Sequence, residues 1–423
     1  MGNSRGRRVG FLAIATTVIL GLSACAGSTA APVTLPEQPT ATMASASTDA
    51  LDAALAEAMA LGAASGAIAG VWAPWSGSWV SAVGTTAPGG SEKMTTDMRF
   101  RIGDNTKPMT CDVLYALAAE GTVDLDGEVT DYLPSIVGID DITLEQLCHS
   151  TSGLGDFSGS LASNFSLNPT RQWSPVELIS DGVARPRTGS PGEAYATSDT
   201  NYVLLGLALE EATGTSWRSL YSRYVFDRLD MDDSLFPEPT TLEISGAFAP
   251  GWFIGKRDGE LACDDQTTVT ELSNSQAYTA GGVVSSLDDM HTYAQSFAAG
   301  ALIPDDARDD AWATVPLSTD APDWQGYGPG GMQMGPLRGQ VGVIPGHLSA
   351  MFSDPTTGLT VVVMLNNSTA GAGFVQALAM KLAAIAAKTP PIEGEERPAA
   401  GLPWSEEQMT ERLTDRAVCQ PAS

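Results

Sequence analysis

The sequence predicts an α+β protein in which one antiparallel sheet, flanked by terminal helices, stands beside a mostly helical lobe. Three observations carry this reading. β-like runs cluster near the start of the chain and again after Gly330. The segment between them is dominated by apolar residues at helical spacing. Helical patterns also precede the first strands and follow the last ones. Strands at both ends of a chain share one sheet only if the two ends meet, and the lobe inserted between them then leaves a cleft at its junction with the sheet.

In chain order, Leu51, Leu55 and Met59 recur at four-residue intervals and predict a helix over residues 49–64. Residues 67–73, 79–84 and 99–102 read as short strands. Residues 106–120 read as a buried helix and 144–148 as a shorter one. The stretch 155–195 is rich in Ser, Gly, Asn and Pro, with a single helical segment at 175–183. Helices resume over 200–213, 217–226 and 287–298. Strands follow at 332–334, 340–343, 349–352 and 360–365, the last two joined by a turn at Pro355-Thr356-Thr357-Gly358. Residues 370–387 form an amphipathic terminal helix, and 388–423 read as a Pro-rich tail with one short charged helix. No internal repeat is present.

The chain has 423 residues, 43% of them hydrophobic and 17% charged. That length buries a large core without help from metal or disulfide. Acidic residues number 50 against 22 basic ones, a net charge of −28. With no basic patch beyond the first eight residues, nucleic acid is excluded as a partner. Arg5, Arg7 and Arg8 precede an apolar run from Val9 to Leu22, shorter than the ~20 residues a membrane span needs. The run ends in Leu22-Ser23-Ala24-Cys25, which resembles a bacterial lipoprotein cleavage box. That resemblance implies export, removal of residues 1–24, and a lipid on Cys25 that anchors the protein to the membrane, outside the cytoplasm. Residues 26–48 carry a single charge, Glu37, among Ala, Ser, Thr and Pro, and predict a flexible tether. The expected organisation is a signal peptide at 1–24, Cys25 with its tether to 48, a folded domain at 49–387 and the tail at 388–423.

Four cysteines follow Cys25: Cys111, Cys148, Cys263 and Cys419. None forms a Cys-x-x-Cys pair, and His149, His291 and His347 are dispersed, so no metal site is predicted. Outside the cytosol four cysteines allow two disulfides in three connectivities. Cys111–Cys148 with Cys263–Cys419 is favoured because the first pair falls in two neighbouring helical segments; buried free thiols are the alternative.

The chemistry-bearing motifs begin with Arg101-Ile102-Gly103-Asp104-Asn105-Thr106-Lys107-Pro108-Met109-Thr110 at a helix start. They continue through Thr151-Ser152-Gly153-Leu154 and Ser198-Asp199-Thr200-Asn201-Tyr202-Val203-Leu204-Leu205-Gly206. Thr279-Ala280-Gly281-Gly282-Val283-Val284-Ser285, Pro345-Gly346-His347 and Asp354-Pro355 complete the set. In order and spacing these resemble the penicillin-recognising serine hydrolases, in the D-alanyl-D-alanine carboxypeptidase and class C β-lactamase branch, over roughly residues 50–387. The resemblance implies a β-lactamase/transpeptidase-like fold and no cofactor.

Members of that family work through Ser-x-x-Lys, where an i, i+3 spacing puts hydroxyl and amine on one helix face and lets the amine take the proton as Ser attacks. Here the nucleophile position holds Asp104, while Lys107 is retained. A carboxylate attacking an amide or ester would give a mixed anhydride, a poor resting point beside an acyl-Ser ester. Asp104 is therefore expected to act as an N-cap, its oxygen on the first helical N–H groups, paired with Lys107 one turn on. The family's Tyr-x-Asn falls on Thr197 and Asp199, which removes the phenol and adds an anion. Its His/Lys-x-Gly falls on Gln340 and Gly342, which removes the basic side chain but keeps a thin strand for substrate. By the same pattern the oxyanion hole would use the backbone N–H groups of Asp104 and Val343.

No Ser-x-x-Lys and no Gly-x-Ser-x-Gly occurs elsewhere. Ser152 and Ser198 are the hydroxyls nearest the expected cleft, with loop hydrogen bonding favoured for both. His149 reads as a structural or surface residue and His347 as a strand-end residue. Trp252 is placed either over the cleft or in simple packing. Asp305, Asp306, Asp309 and Asp310 read as a solvated helix face. Coordinated loss at Asp104, Thr197 and Gln340 favours a domain that binds an acyl-peptide, such as a cell-wall stem peptide, or a protein partner, without cleaving it. Retained Lys107 and Gly342 support the alternative, a hydrolase acting on D-Ala-D-Ala peptides, β-lactams or esters. Asp104 and Asp199 beside one lysine leave at least one uncompensated negative charge, which disfavours ligands bearing a carboxylate.

Overall fold

The computed structural model describes residues 1–2, 35, 38, 40–399 and 401–420. The expected cleavage box at Cys25, the rest of the signal segment from residue 3 and residues 26–34 of the expected tether lie outside the described residues. The chain divides into units of residues 1–31 and 32–423, and every element below belongs to the second. Among the described residues no helix is long and apolar enough to cross a membrane.

The elements run α1 Ser45–Leu61, β1 Gly66–Ala73, β2 Gly77–Gly84 and β3 Phe100–Arg101, then a 3-10 turn Gly103–Asn105 leading into α2 Thr106–Ala119. Helices α3 Val129–Tyr132, α4 Leu144–Cys148, α5 Phe157–Leu167, α6 Pro175–Val183, α7 Asp199–Thr213 and α8 Trp217–Tyr221 make the lobe. A hairpin of β4 Trp252–Arg257 and β5 Glu260–Thr268 follows, then α9 Tyr278–Gly281, β6 Val284–Ser285, α10 Leu287–Ala299 and α11 Arg308–Ala311. The chain ends in β7 Val315–Pro316, β8 Gln325–Tyr327, β9 Met332–Met334, β10 Leu337–Ile344, β11 His347–Ser353, β12 Thr360–Leu365, α12 Ala372–Ala386 and α13 Glu406–Asp415.

The main sheet has eight strands in the order β2-β1-β12-β11-β10-β9-β8-β7, with every neighbouring pair antiparallel. Pairing of β1 with β12, Ala67 opposite Leu365, joins the two ends of the chain. Side-chain alternation sorts the strands between two cores. Ala67, Ala69, Val71, Val361, Val363 and Leu365 pack with α1 and α12, while Ile68, Trp72, Val362 and Met364 face the helical lobe. Lys381 of α12 is buried against the sheet and meets Glu57 of α1 at 2.5 Å.

Several elements differ from expectation. α1 starts at Ser45, and Met43 is already buried, so the folded domain begins inside the stretch read as tether to residue 48. Residues 217–226 are not one α-helix: α8 widens into a π-helical turn over Ser222–Phe226. α5 lies in the stretch read as a polar loop; Asp156 caps it by accepting from the Ser158 N–H, and Phe157 and Phe165 anchor its inner face. The β4–β5 hairpin was also missed, because its sequence alternates weakly and β5 is largely exposed.

The tail is not an appendage. Trp404, Met409 and Leu413 are buried, the Trp404 indole N–H donates to Met380 O at 3.0 Å, and the Val418 N–H donates to Leu61 O at 2.9 Å. Disulfides join Cys111 to Cys148 and Cys263 to Cys419, the favoured connectivity. The first ties α2 to α4; the second ties the tail to the β4–β5 hairpin across a separation of 156 residues. Loss of a long-range disulfide costs about 2–5 kcal/mol. Cys419→Ser is expected to lower Tm by several degrees and to expose the segment after residue 388 to limited proteolysis. Wild-type resistance in the variant would show that the tail docks without its covalent strap.

Candidate active site

The cleft is built where the turn before α2 crosses strand β10. Gly103 has φ +54°, and a Cβ there would lie 2.7 Å from the Val343 backbone N. A Cβ on Gly342 would lie 1.9 Å from Ile102 O. The turn can lie flat on the strand because both positions are glycine. Ser349 and Asn105 fix it there: the Ser349 hydroxyl donates to Ile102 O at 2.8 Å and accepts from the Asn105 side-chain amide at 2.8 Å. Asp104 is thereby set beside Val343, and Lys107 follows one turn later on the same helix face.

The Val343 N–H donates to Asp104 Oδ2 at 2.8 Å. The other oxygen, Oδ1, meets Lys107 Nζ at 2.6 Å. Lys107 also meets Asp199 Oδ1 at 2.6 Å, its side chain is 5% exposed, and its ammonium stands 5.3 Å from the Tyr202 ring centroid. Asp199 opens α7, where the helix dipole favours an acid, and its N–H donates to Asp156 Oδ1 at 3.0 Å. The N-cap role expected for Asp104 does not occur. Asn105 precedes α2 without a side-chain cap, and the Asp104 carboxylate turns away from the helix to the strand and the lysine, where a charged partner and a strand N–H outweigh a cap.

This geometry sets the protonation states. Burial alone would lower the Lys107 pKa, but the Asp104 and Asp199 carboxylates outweigh it and hold the ammonium well above its ordinary 10.5. Burial, aided by Asp104 and Asp156, pushes the Asp199 carboxyl from 3.8 up to about 7 against the opposing pull of Lys107. A lysine held charged cannot accept a proton from a nucleophile.

The cleft has a volume of about 420 Å³. Asp104, Lys107, Thr197 and Asp199 line it, facing Phe165 of α5. Gln340 is not brought to it: the side chain is buried, its amide donating to Gly330 O at 2.9 Å and Tyr327 Oη at 3.2 Å. Gly342 acts through its missing side chain alone. Ser152 and Ser198 make the loop hydrogen bonds expected of them, to Asn201 Oδ1 at 2.5 Å and Gly155 O at 2.9 Å. His149 and His347 are buried and structural, their pKa values lowered to about 4 by desolvation. Trp252 packs, its indole N–H donating to Thr86 O at 2.9 Å. Among the described residues no cluster of His, Cys, Asp and Glu could hold a metal ion.

Two groups in the cleft escaped sequence reasoning. Asp156 caps α5 and Phe165 lies within it, where Phe157, Leu161 and Phe165 at four-residue intervals behind a capping Asp carried the missed helical signal. Gln276 is 3% exposed, lines the cleft and leaves both atoms of its side-chain amide without a partner; nothing in the sequence marks it.

Residues 51–385 match the Beta-lactamase family, and the chain belongs to it. A putative penicillin-binding protein PbpX of Bacillus subtilis is 25% identical over 270 residues, 63% of this chain and 62% of that protein. A D-aminopeptidase of Cereibacter sphaeroides is 30% identical over 170 residues, 38% of this chain and 32% of that protein. The chain thus matches less than two thirds of the length of either relative. A D-stereospecific amidohydrolase from Streptomyces superposes with a TM-score of 0.66 at 26% identity, covering 78% of this chain and 95% of its own. These matches bear out the serine-hydrolase family and the fold read from the motifs.

Asp199 supplies a pH test of the site. The folded state holds its proton more tightly than the unfolded chain does. Its contribution to stability is therefore full below pH ~4 and lost as pH rises to about 7. Asp199→Asn removes the titration. Measured relative to wild type at the same pH, the Tm of Asp199→Asn is expected to fall as pH is lowered from 8 to 5, because wild type gains stability on protonation and the variant does not; a relative Tm that rises on acidification would contradict the assignment.

Proposed function

We propose that this protein is a cell-envelope lipoprotein, anchored through Cys25, whose β-lactamase-family domain binds peptide-like ligands without cleaving them. The observation that carries this is the place of the Asp104 carboxylate. It stands where the family has its nucleophile, takes the Val343 N–H that would stabilise an oxyanion, and neutralises half of the Lys107 ammonium's surroundings. Nucleophile, base and oxyanion donor are thus disabled by one side chain, with Asp199 as its accomplice on the lysine. Among the relatives, a penicillin-binding protein and a D-aminopeptidase support a peptide-like ligand class. Localisation at the membrane rests on the resemblance of Leu22-Ser23-Ala24-Cys25 to a lipoprotein box.

Intact-mass measurement after incubation with a reactive penicillin tests the reading, using protein from residue 26 onward. The native chain is expected to remain unmodified. Asp104→Ser combined with Asp199→Asn restores a hydroxyl, frees the Val343 N–H and removes both carboxylates from Lys107, and is expected to gain a stoichiometric adduct. An adduct on the native chain would overturn the proposal and establish a working acyl-enzyme former.

A further inference from the structure

We propose that Lys107 and Asp199 condense into an internal amide, a covalent cross-link between α2 and α7 that forms in the folded protein with loss of one water. The inference goes beyond the binding reading above: it concerns a modification of the chain itself and holds whatever ligand the cleft takes. The ion-paired cluster described above is the state from which it starts.

Position is the first argument. An amine joins a carboxyl where the two are held together, where a base removes the amine's proton, and where water is kept from reversing the bond. Lys107 meets all three conditions. Its side chain is 5% exposed, its ammonium lies by the Tyr202 ring, and it meets Asp104 Oδ1 and Asp199 Oδ1, each at 2.6 Å. Among the described residues no other ion pair sets a buried amine against two carboxyls. Lys381 is as enclosed, but it meets Glu57 alone, and that carboxyl is 45% exposed. Hydrogen bonding then divides the roles. Asp104 Oδ2 accepts from the Val343 N–H, which fixes that oxygen and leaves Oδ1 on the ammonium. Asp199 Oδ2 accepts nothing from the described residues, and burial favours the neutral form of this carboxyl. A neutral carboxyl, not a carboxylate, is open to attack by an amine. Asp104 is therefore the base and Asp199 the electrophile.

The atoms balance. The Lys107 ammonium passes one proton to Asp104 Oδ1, and the freed Nζ lone pair attacks Asp199 Cγ. The tetrahedral carbon then breaks its bond to the carboxyl's hydroxyl oxygen, which leaves as water with the surplus proton on Nζ. The products are an amide, one water and a protonated Asp104, which returns its proton to solvent; no oxidant or further reactant takes part. Because two carboxyls hold the lysine charged, the free amine is a rare state and the condensation is slow. It is a maturation of the folded chain, not a step of turnover. Once formed, the amide ties the first residue of α7 to the first turn of α2 and removes one ammonium and one acid from the cleft wall together.

Mass spectrometry tests this on the protein from residue 26 onward, with disulfides reduced, after several days at neutral pH and physiological temperature. The aged chain is expected to be lighter by one water, and its digest to contain a branched peptide joining the Lys107 segment to the Asp199 segment. The branch separates the cross-link from succinimide formation at Asp126-Gly127 or Asp258-Gly259, which loses the same mass. Lys107→Arg keeps the positive charge without the amine and is expected to give no branched peptide. Asp104→Asn keeps nucleophile and electrophile and is expected to slow cross-linking by about a hundredfold, with folding of each variant checked by circular dichroism. Absence of the branched peptide from aged wild type, a branch from Lys107 to Asp104 instead of Asp199, or an undiminished rate in Asp104→Asn would each overturn the inference. A penicillin adduct on freshly prepared protein is a separate result: it would end the claim of binding without cleavage and leave the cross-link standing.

Discussion

Lys107 is enclosed almost completely, and an ammonium in that position persists only where carboxylates meet it. Asp104 and Asp199 do so from two directions, one from the turn before α2 and one from the first residue of α7. The two helices are thereby locked across the cleft by a three-membered cluster of two acidic side chains and one ammonium. Breaking a buried pair of this kind costs roughly 3–5 kcal/mol in general, since it strands a charge away from water. The same cluster decides the chemistry. In a serine hydrolase of this fold the lysine must lend its lone pair to a neighbouring hydroxyl; here its ammonium is held by two carboxyls at 2.6 Å.

The scaffold that makes the cluster is intact. Gly103 and Gly342 let the turn and β10 touch, the sheet is closed by pairing β1 with β12, and two disulfides tie α2 to the lobe and the tail to the β4–β5 hairpin. At the crossing the backbone aims the Val343 N–H at the Asp104 side chain. Asp104 thus occupies the site as a built-in anion. The oxygen of Asp199 not engaged by Lys107 remains on the cleft.

What could be read from sequence follows the range of the forces involved. Strands β1, β11 and β12 and helices α2 and α12 are set by local apolar periodicity, and they fall within a few residues of expectation. The i, i+3 placement of Asp104 and Lys107 is likewise a local matter, and their pairing was legible. The hydrogen bond from Val343 to Asp104 spans 239 residues and decided the direction of the carboxylate against the local N-cap preference. Gln340 shows the same limit: its position on β10 could be counted back from Pro345-Gly346, but its burial under Tyr327 depends on strand β8, far from any local signal. Gln276 belongs to a short 3-10 turn with no periodicity, so only assembled structure reveals that its amide is walled in without partners.

The central claim is that the Asp104 carboxylate fills the oxyanion position, and amide hydrogen exchange at Val343 tests it most directly. A hydrogen bond to a charged acceptor slows exchange through its local opening free energy, about 1.5–3 kcal/mol, or roughly ten- to a hundredfold. In Asp104→Ala the Val343 amide is predicted to exchange faster than in wild type by at least about tenfold, while the amides of Met351 and Val362 in the sheet core stay unchanged. Equal exchange at Val343 in the two proteins would contradict the account, since the N–H would then be free of the carboxylate and open to an oxyanion.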